Sequence, residues 1–500
     1  MNDFTRRDTL KQMTVASTAA LASHFSKNVS AAAAKPLPGI ITDENSKSGT
    51  RDWMLKNARI DPDSKYRCPW VEGYASKASV RAGETISFHV STYDDAPFTI
   101  DLYRLGYYQG KGGRLMKQLG SFKGKTQSDP PIGEKRVRIC DWDACTELTI
   151  PADWLSGVYV GKITESKTGL QSYLTFIIRD DRQADYLFQC SDNTWQAYNR
   201  WPSQFSLYDN GKHKWYWGKD IQVSYRRPYG KYCQIVDAPL STGSGEFFLW
   251  EFPFAYWMES LGYDLTYISN LDTHHDADGL KRAKGFLSIG HDEYWTIEMY
   301  NNVKQAIEQG LNVGFFSGNA VCGRILQDEK NQAFERIGVF GPPGGTREFE
   351  MMKSLEHVPP YGNALMGAHS TGPVTGGADW VCSKPDHWIY QDTGMKQDDR
   401  IPGVIGWEWH GDPANISGLE IVATAPTQSA PGKLNGGTYT ATVYPGPKNN
   451  FVFNASTCWW ADGLSAPPGY VRPKAYTAPQ GPDARIQQIT RNILNRMVKV

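Results

Sequence analysis

Residues 285–319, GFLSIGHDEYWTIEMYNNVKQAIEQGLNVGFFSGN, decide the fold. The stretch begins with an apolar run at 285–289 and ends with another at 312–316. Between them, the spacing of apolar residues predicts a helix over 296–309, and Gly310 suits the position just after it. Strands that alternate with helices of this length are typical of βαβ units. The stretch therefore predicts a parallel sheet.

Polar side chains follow both predicted strands. His291, Asp292 and Glu293 come after the first strand, and Asn319 comes after the second. Ligands of parallel sheets bind outside the carboxyl ends of the strands, so we expect these side chains to share one crevice. Asp292 or Glu293 could instead cap the following helix, where a carboxylate is favoured. The sequence leaves both interpretations open.

The flanking residues extend the α/β pattern. Helical periodicity at 247–261, an apolar run at 450–454 and an amphipathic pattern at 485–500 predict further helices and strands. Together they predict an α/β domain with a parallel sheet over 183–500. A segment rich in glycine, proline and aspartate interrupts it at about 326–400, which predicts a loop-rich insertion.

Residues 66–182 have a β pattern instead. Ile86, Phe88 and Val90 alternate with polar neighbours, and glycine, aspartate and proline separate such runs. Short alternating strands at this spacing predict an antiparallel β-sandwich. The polar residues 35–65 predict a linker. The predicted fold class is therefore multidomain: an N-terminal antiparallel β-sandwich followed by the α/β domain.

The first residues have the features of an export signal. TRRDTLK at 5–11 is similar to a twin-arginine motif, with Thr9 where phenylalanine is more usual. An apolar stretch over 13–25 and the alanines at 31–34 follow, the latter as an A-x-A cleavage site. We therefore predict a signal peptide over 1–34 and a periplasmic or secreted protein.

Length and composition limit the functions that the protein can have. The 500 residues suggest two or three domains. Lys+Arg and Asp+Glu both number 53, which argues against nucleic acid as a partner. The sequence has no run near the about 18 to 20 apolar residues that span a bilayer. Of eight cysteines, Cys140 and Cys145 are the local pair that we expect to form a disulfide in an oxidising compartment.

Residues 184–325 resemble the large (β) subunit of N,N-dimethylformamidase and its relatives. The segment from GYASK (73–77) to LYRLGYYQG (102–110) resembles the sandwich that precedes this domain in the relatives. The matching motifs are NTWQAYN (193–199), SLYD (206–209), RPY (227–229), GHDEYW (290–295) and GNAV (318–321), with weaker matches at GWEW (406–409) and VFNA (452–455).

The resemblance implies hydrolysis of an amide C–N bond on a mononuclear ferric ion, within a glutamine-amidotransferase-like α/β domain. It implies that Tyr198, Tyr208 and Glu293 hold the metal. Two phenolates and a carboxylate form a hard oxygen set, which suits Fe(III). Carried over by motif, the catalytic residues are His291, Asn319 and Glu408.

The resemblance also bears on partners. It implies a small-molecule amide substrate and either a homo-oligomer or a small partner subunit. After GNAV this chain has CGR at 322–324, where relatives usually place two aromatics before the arginine.

The alternative function is a non-catalytic exported protein that binds carbohydrate or cell envelope. The predicted sandwich and 17 tryptophans support that alternative.

Overall fold

Sheet predominates over helix in this protein. The computed structural model describes residues 37–212, 215–232, 237–342, 354–371, 377–428, 437–472 and 481–499. The predicted signal peptide (1–34) lies outside the described residues. Within them, strands belong to several separate sheets, some of which mix parallel and antiparallel pairs.

The elements of the described residues have the following bounds. The strands are β1 Val71–Ala75, β2 Ser79–Arg81, β3 Thr85–Thr92, β4 Phe98–Leu105, β5 Gly113–Phe122, β6 Ala144–Thr149, β7 Gly157–Glu165, β8 Gln171–Arg179, β9 Ala184–Cys190, β10 Gln222–Ser224, β11 Leu265–Ser269, β12 Ala283–Gly290, β13 Tyr294–Trp295, β14 Asn312–Ser317, β15 Gly323–Asp328, β16 Ala333–Val339, β17 Glu356–His357, β18 Ala368–Thr371, β19 Ala378–Val381, β20 Arg400–Ile405, β21 Trp409–Pro413, β22 Glu420–Pro426, β23 Thr438–Pro445 and β24 Phe451–Asn454. The α-helices are α1 Ile40–Ser46, α2 Asp192–Tyr198, α3 Phe247–Trp250, α4 Phe252–Ser260, α5 Asn270–His275, α6 Ile297–Glu308, α7 Asn363–Met366 and α8 Ala484–Val498.

Two sheets are built from the strands before residue 180. β1, β3 and β6 form an antiparallel sheet. The other sheet has the order β2-β8-β7-β4-β5, in which only the β2–β8 pair is parallel. Alternate residues of β3, namely Ile86, Phe88 and Val90, are buried and share an apolar cluster with Ile100 and Phe176 of the other sheet. The alternation predicted for β3 is confirmed, while the sandwich arrangement stays a prediction.

The stretch at 35–65 differs from the expected polar linker. It contains α1, and Trp53 is fully buried. The Trp53 ring stacks on Phe248 with 5.3 Å between ring centroids, and its Nε1 donates to the carbonyl of Lys111 at 3.0 Å. Two scattered apolar residues, Ile41 and Trp53, therefore hold this polar segment against the rest of the chain.

The central sheet has seven strands in the order β11-β9-β12-β14-β24-β23-β22. Its first five strands are parallel neighbours, as the βαβ pattern predicts. β23 and β22 pair antiparallel, so the sheet as a whole is mixed. Gly290 pairs with Ser317, and therefore the residues that follow β12 and β14 leave the sheet side by side.

The helices differ from the sequence prediction at one place. The predicted helices at 296–309 and 485–500 are confirmed as α6 and α8. The pattern at 247–261 gives two helices, α3 and α4, that join at Glu251. Pro253 lies in the first turn of α4, where its missing N–H does no harm but a continuous helix would lose a hydrogen bond.

Two further expectations concern the segment at about 326–400 and the cysteines. The segment at about 326–400, expected to be loop-rich, contains the second half of β15 and all of β16 to β19 in its described part. Residues 343–353 and 372–376 lie outside the described residues. The predicted disulfide is wrong, because Cys140 and Cys145 are free thiols, as are the other five cysteines of the described residues. Among those residues, none of the helices has the length and apolar character needed to cross a membrane.

Candidate functional site

Four neighbouring strands of the central sheet end at one buried cluster of polar side chains. β9 leads into α2, whose last residue is Tyr198. β12 leads to His291 and Glu293, β14 to Asn319, and β24 to Cys458. These side chains are between 0% and 7% exposed. The parallel strands thus deliver phenol, imidazole, carboxylate, amide and thiol groups to the same end of the sheet.

Two glycines allow the chain to enter this cluster. Gly290 has φ +68°, and a Cβ there would lie 2.4 Å from the Cβ of Trp250. A Cβ on Gly318 would lie 2.2 Å from the carbonyl oxygen of Glu408. Both separations are far below van der Waals contact. A side chain at Gly290 would therefore push the segment of His291 away from Trp250, and one at Gly318 would push the segment of Asn319 away from Glu408.

The predicted metal ligands lie together. The Tyr198 hydroxyl donates to Glu293 Oε2 at 2.7 Å. The Tyr208 hydroxyl lies 2.9 Å from the Tyr198 hydroxyl and 3.1 Å from Glu293 Oε1. The Thr194 hydroxyl accepts from the Glu293 backbone N–H at 3.0 Å and fixes this strand end against α2. The two phenol oxygens and the carboxylate group lie at the corners of a buried triangle, here called the oxygen triangle, whose two edges to Glu293 end on different carboxylate oxygens.

Tyr294 and Arg336 support this triangle, and sequence reasoning missed both. The hydroxyls of Tyr208 and Tyr294 lie 2.5 Å apart, and Arg336 Nη1 donates to Tyr294 at 3.0 Å. The Arg336 guanidinium also lies 4.9 Å from the centre of the Tyr208 ring. Burial, then the charge of Glu293, holds the pKa of Tyr208 well above its ordinary value, and Arg336 opposes this. A cation near the oxygens would act in the same direction as Arg336.

His291 lies between three carboxylates. Its Nε2 is 2.7 Å from Glu408 Oε2 and 3.3 Å from Glu293 Oε2, and its Nδ1 is 3.5 Å from Glu246 Oε2. Burial acts to lower the pKa of His291, but the charge of Glu408 together with Cys458, Glu246 and Glu293 outweighs it, and the pKa lies well above its ordinary value. Burial raises the pKa of Glu408, and His291 opposes this. The pair can therefore share a proton. Sequence reasoning missed Glu246, which directly precedes α3.

Asn319 lies beside this pair in a left-handed conformation. Its φ is +48°, a region that asparagine tolerates better than most residues. The Ser370 hydroxyl donates to Asn319 Oδ1, and the Ala320 backbone N–H donates to His410 Nε2 at 3.1 Å. The side chain of Asn319 also hydrogen-bonds Glu408. These contacts fix an amide group next to the carboxylate.

Asp292 points away from the cluster and has a structural role. It accepts hydrogen bonds from Gln189 at 2.6 Å, Ser288 at 2.8 Å and Asn270 at 3.1 Å. The following helix, α6, is capped by Thr296, whose hydroxyl accepts from a backbone N–H in the first turn. The interpretation of Asp292 or its neighbour as the cap is therefore wrong.

The oxygen triangle fits a small, highly charged cation. Oxygen ligands about 2 Å from an ion lie about 2.8 to 3.3 Å from one another at tetrahedral or octahedral angles. The contacts of 2.7, 2.9 and 3.1 Å among the two phenol oxygens and the Glu293 carboxylate lie close to this range. Fe(III) suits phenolate and carboxylate ligands. Tyr198, Tyr208 and Glu293 are thus the residues that could hold a ferric ion.

A second buried donor set adjoins the first. Ligand atoms of His291, Glu408 and Cys458 all lie within 4.8 Å of one another. Both nitrogens of His291 face carboxylates, however, which favours ring protons on them over a metal. The oxygen triangle is therefore the better candidate for iron. Ligands bind outside the carboxyl ends of parallel strands, and this strand-end rule could have found Cys458 from the sequence. Cys458 follows the predicted strand at 450–454 just as Asn319 follows β14.

Comparison with known proteins agrees with the resemblance in the sequence. Compared with curated proteins, the chain gives no significant match. A family model described as N,N-dimethylformamidase beta subunit-like, C-terminal, matches residues 99–476. This range contains all the residues of the buried cluster. Because the match spans well over half of the chain, the protein belongs to the N,N-dimethylformamidase beta subunit-like family.

Proposed function

We propose that this protein is an exported, iron-dependent hydrolase that cleaves a C–N amide bond. The observation that carries the proposal is the buried oxygen triangle of Tyr198, Tyr208 and Glu293, with edges between 2.7 and 3.1 Å. Family membership supports amide hydrolysis. When bound, a ferric ion supplies Lewis acidity, which polarises a carbonyl and lowers the pKa of water.

The residues beside the triangle would hold a proton and transfer it to the departing nitrogen. Hydrolysis adds water to the carbonyl carbon, breaks the C–N bond and protonates the departing nitrogen. His291 and Glu408, 2.7 Å apart, can hold one proton between Nε2 and Oε2 and pass it to that nitrogen. Asn319 can orient the substrate carbonyl by donating from its amide. Burial of all three excludes bulk water and strengthens these interactions.

We propose a small-molecule amide as substrate, and a homo-oligomer or a small partner subunit as the assembly. We also propose that the two sheets before residue 180 form a sandwich and that the later residues adopt a glutamine-amidotransferase-like fold. The mostly antiparallel pairing of those two sheets and the five parallel strands of the central sheet support this.

Measurement of the metal content distinguishes the proposed hydrolase from the alternative, a non-catalytic binding protein. Purified protein should contain about one iron per chain and show a visible phenolate-to-Fe(III) band, and it should hydrolyse small amides. A colourless, iron-free and inactive protein would favour the binding protein. Burial of the tryptophans already weakens that alternative, because the only tryptophan among the large exposed apolar side chains of the described residues is Trp215, at 37%.

His291→Gln should separate catalysis from metal binding. We expect it to keep iron and the visible band and to lose turnover by about 10²–10⁴-fold, the usual contribution of a general acid or base. Iron analysis and kcat measured on the same sample check this. Cys458→Ser is the companion variant and should also keep iron. Loss of iron from both variants would show that the ion binds to His291, Glu408 and Cys458 instead.

The twin-arginine motif predicts the location. Replacing Arg6 and Arg7 together by lysine should leave uncleaved precursor in the cytoplasm, because the export machinery reads the arginine pair. Immunoblots of cytoplasmic and periplasmic fractions check this, with Lys11→Arg as a control that keeps the pair. Normal periplasmic recovery of the double variant would contradict the proposal.

A further inference from the structure

Two histidines and a glutamate converge on the surface near the end of β15. His274 and His275 are the last two residues of α5, and Glu329 directly follows β15. Glu329 Oε1 lies 3.4 Å from His275 Nε2 and 3.8 Å from His274 Nε2. The ligand atoms of all three side chains lie within 4.8 Å of one another. Residues far apart in sequence thus present two imidazoles and a carboxylate to one point.

The first imidazole is already oriented. Nδ1 of His274 hydrogen-bonds the Thr296 hydroxyl at 2.8 Å, and Thr296 is itself fixed as the cap of α6. Histidines that bind metals commonly use the second ring nitrogen in this way, which holds the ring orientation. The rings of His274 and His275 are nearly perpendicular, with 4.5 Å between centroids. Nε2 of His274 is therefore aimed at Glu329 before any ion binds.

The local charge favours a cation. Glu298 Oε2 lies 3.7 Å from His274 Nδ1 and adds a second carboxylate. Among the described residues, neither Glu298 nor Glu329 forms an ion pair with a lysine or arginine.

The cluster is open to solvent. The side chains of His275 and Glu329 are 52% and 65% exposed, whereas His274 is 13% exposed. An ion can therefore enter directly, and water can complete its coordination. The buried oxygen triangle consists of other residues, and none of these three side chains belongs to it.

We propose that His274, His275 and Glu329 form a second metal site, which binds a borderline divalent ion such as Zn²⁺. Nitrogen and oxygen ligands about 2.0–2.1 Å from zinc lie about 3.3 Å apart at tetrahedral angles. The 3.4 and 3.8 Å between Glu329 and the two rings lie within about 0.5 Å of this value, and the ligand atoms of the two rings lie within 4.8 Å of each other. The ion would join α5 to the connection between β15 and β16, and would stabilise the native state because the unfolded chain lacks the site.

Zinc titration of the full-length protein, with its buried site as purified, tests the proposal. We expect one additional zinc per chain in equilibrium dialysis, and a Tm that rises with zinc concentration and falls back on addition of a chelator. His275→Ala and Glu329→Gln should each weaken this binding at least tenfold and leave amide hydrolysis unchanged. Glu308→Gln, an exposed glutamate of α6, is the matched control and should bind zinc like the unmodified protein.

The outcomes separate this site from the proposed active site. Glu293→Gln should still bind the additional zinc, because Glu293 is not among the three ligands. The proposal is overturned if no additional zinc binds, or if His275→Ala and Glu329→Gln bind it as tightly as Glu308→Gln does. Failure of the iron proposal would not change either result.

Discussion

Glu293→Gln should yield a folded protein that purifies with little iron and loses most of its amide hydrolysis. The substitution keeps the size of the side chain but removes the negative charge that faces the hydroxyls of Tyr198 and Tyr208. A glutamine amide is a neutral and weaker ligand, so the ion would lose one of its three anionic protein ligands and would be held by the two phenolates alone. We therefore expect iron to fall below about a tenth of an equivalent and kcat/KM to fall by about 10³-fold or more.

The matched control is Glu251→Gln. Glu251 is also fully buried, and it accepts from the indole of Trp195 at 2.8 Å. Burial holds its pKa well above the ordinary value, and the nearby Asp292 and Glu246 add to the rise. A glutamine keeps the size of this side chain and an oxygen that can accept from Trp195. This control should keep iron and activity. Iron retained in Glu293→Gln, with the visible band unchanged, would rule out the triangle as the metal site.

The sequence predicted elements whose pattern is local. β12, α6 and β14 follow from apolar spacing, Thr296 and Gly310, all within one short stretch. It could not predict that Trp53 anchors the segment at 35–65, because the stack of its ring on Phe248 depends on a contact between distant residues. The direction of β22 and β23 likewise depends on long-range pairing. Short strands such as β17, with two residues, leave no periodic pattern.

For the site, the strand-end rule predicted some of the residues and missed others. It brought His291, Glu293 and Asn319 to one place from sequence alone. Tyr198 ends a helix and Tyr208 lies in a loop, so only the family resemblance selected them among 26 tyrosines. Arg336 could not be predicted as a site residue because it lies within β16. The pattern of a strand does not show which of its polar side chains points into the protein interior.

The second large effect is expected from the ion pair between Arg104 and Glu259. Arg104 lies in β4 and Glu259 in α4, and both side chains are fully buried. Arg104 Nη2 and Nη1 donate to Glu259 Oε1 and Oε2 at 2.8 and 3.1 Å. Tyr267 and Asn45 also donate to Glu259, each at 2.9 Å. One carboxylate thus joins β4, α1 and β11 to α4.

Removing only one charge should be the most damaging change. Glu259→Gln leaves the Arg104 guanidinium buried without its counter-charge, and we expect the free energy of unfolding to fall by about 3–5 kcal/mol. The double variant Arg104→Met with Glu259→Leu should recover much of that loss, because it removes the desolvated charges together. Denaturant titration measures both.

The exposed pair of Lys304 and Glu308, 58% exposed on each side, supplies the control. Glu308→Gln should change the free energy of unfolding by less than about 0.5 kcal/mol, as expected for surface pairs on a helix. Equal effects of Glu259→Gln and Glu308→Gln would show that the buried pair does not stabilise the contact between β4 and α4. A large effect restored in the double variant would show instead that the cost arises from the unpaired charge, so that the residues before 183 and those after it depend on this pair for a common folded state.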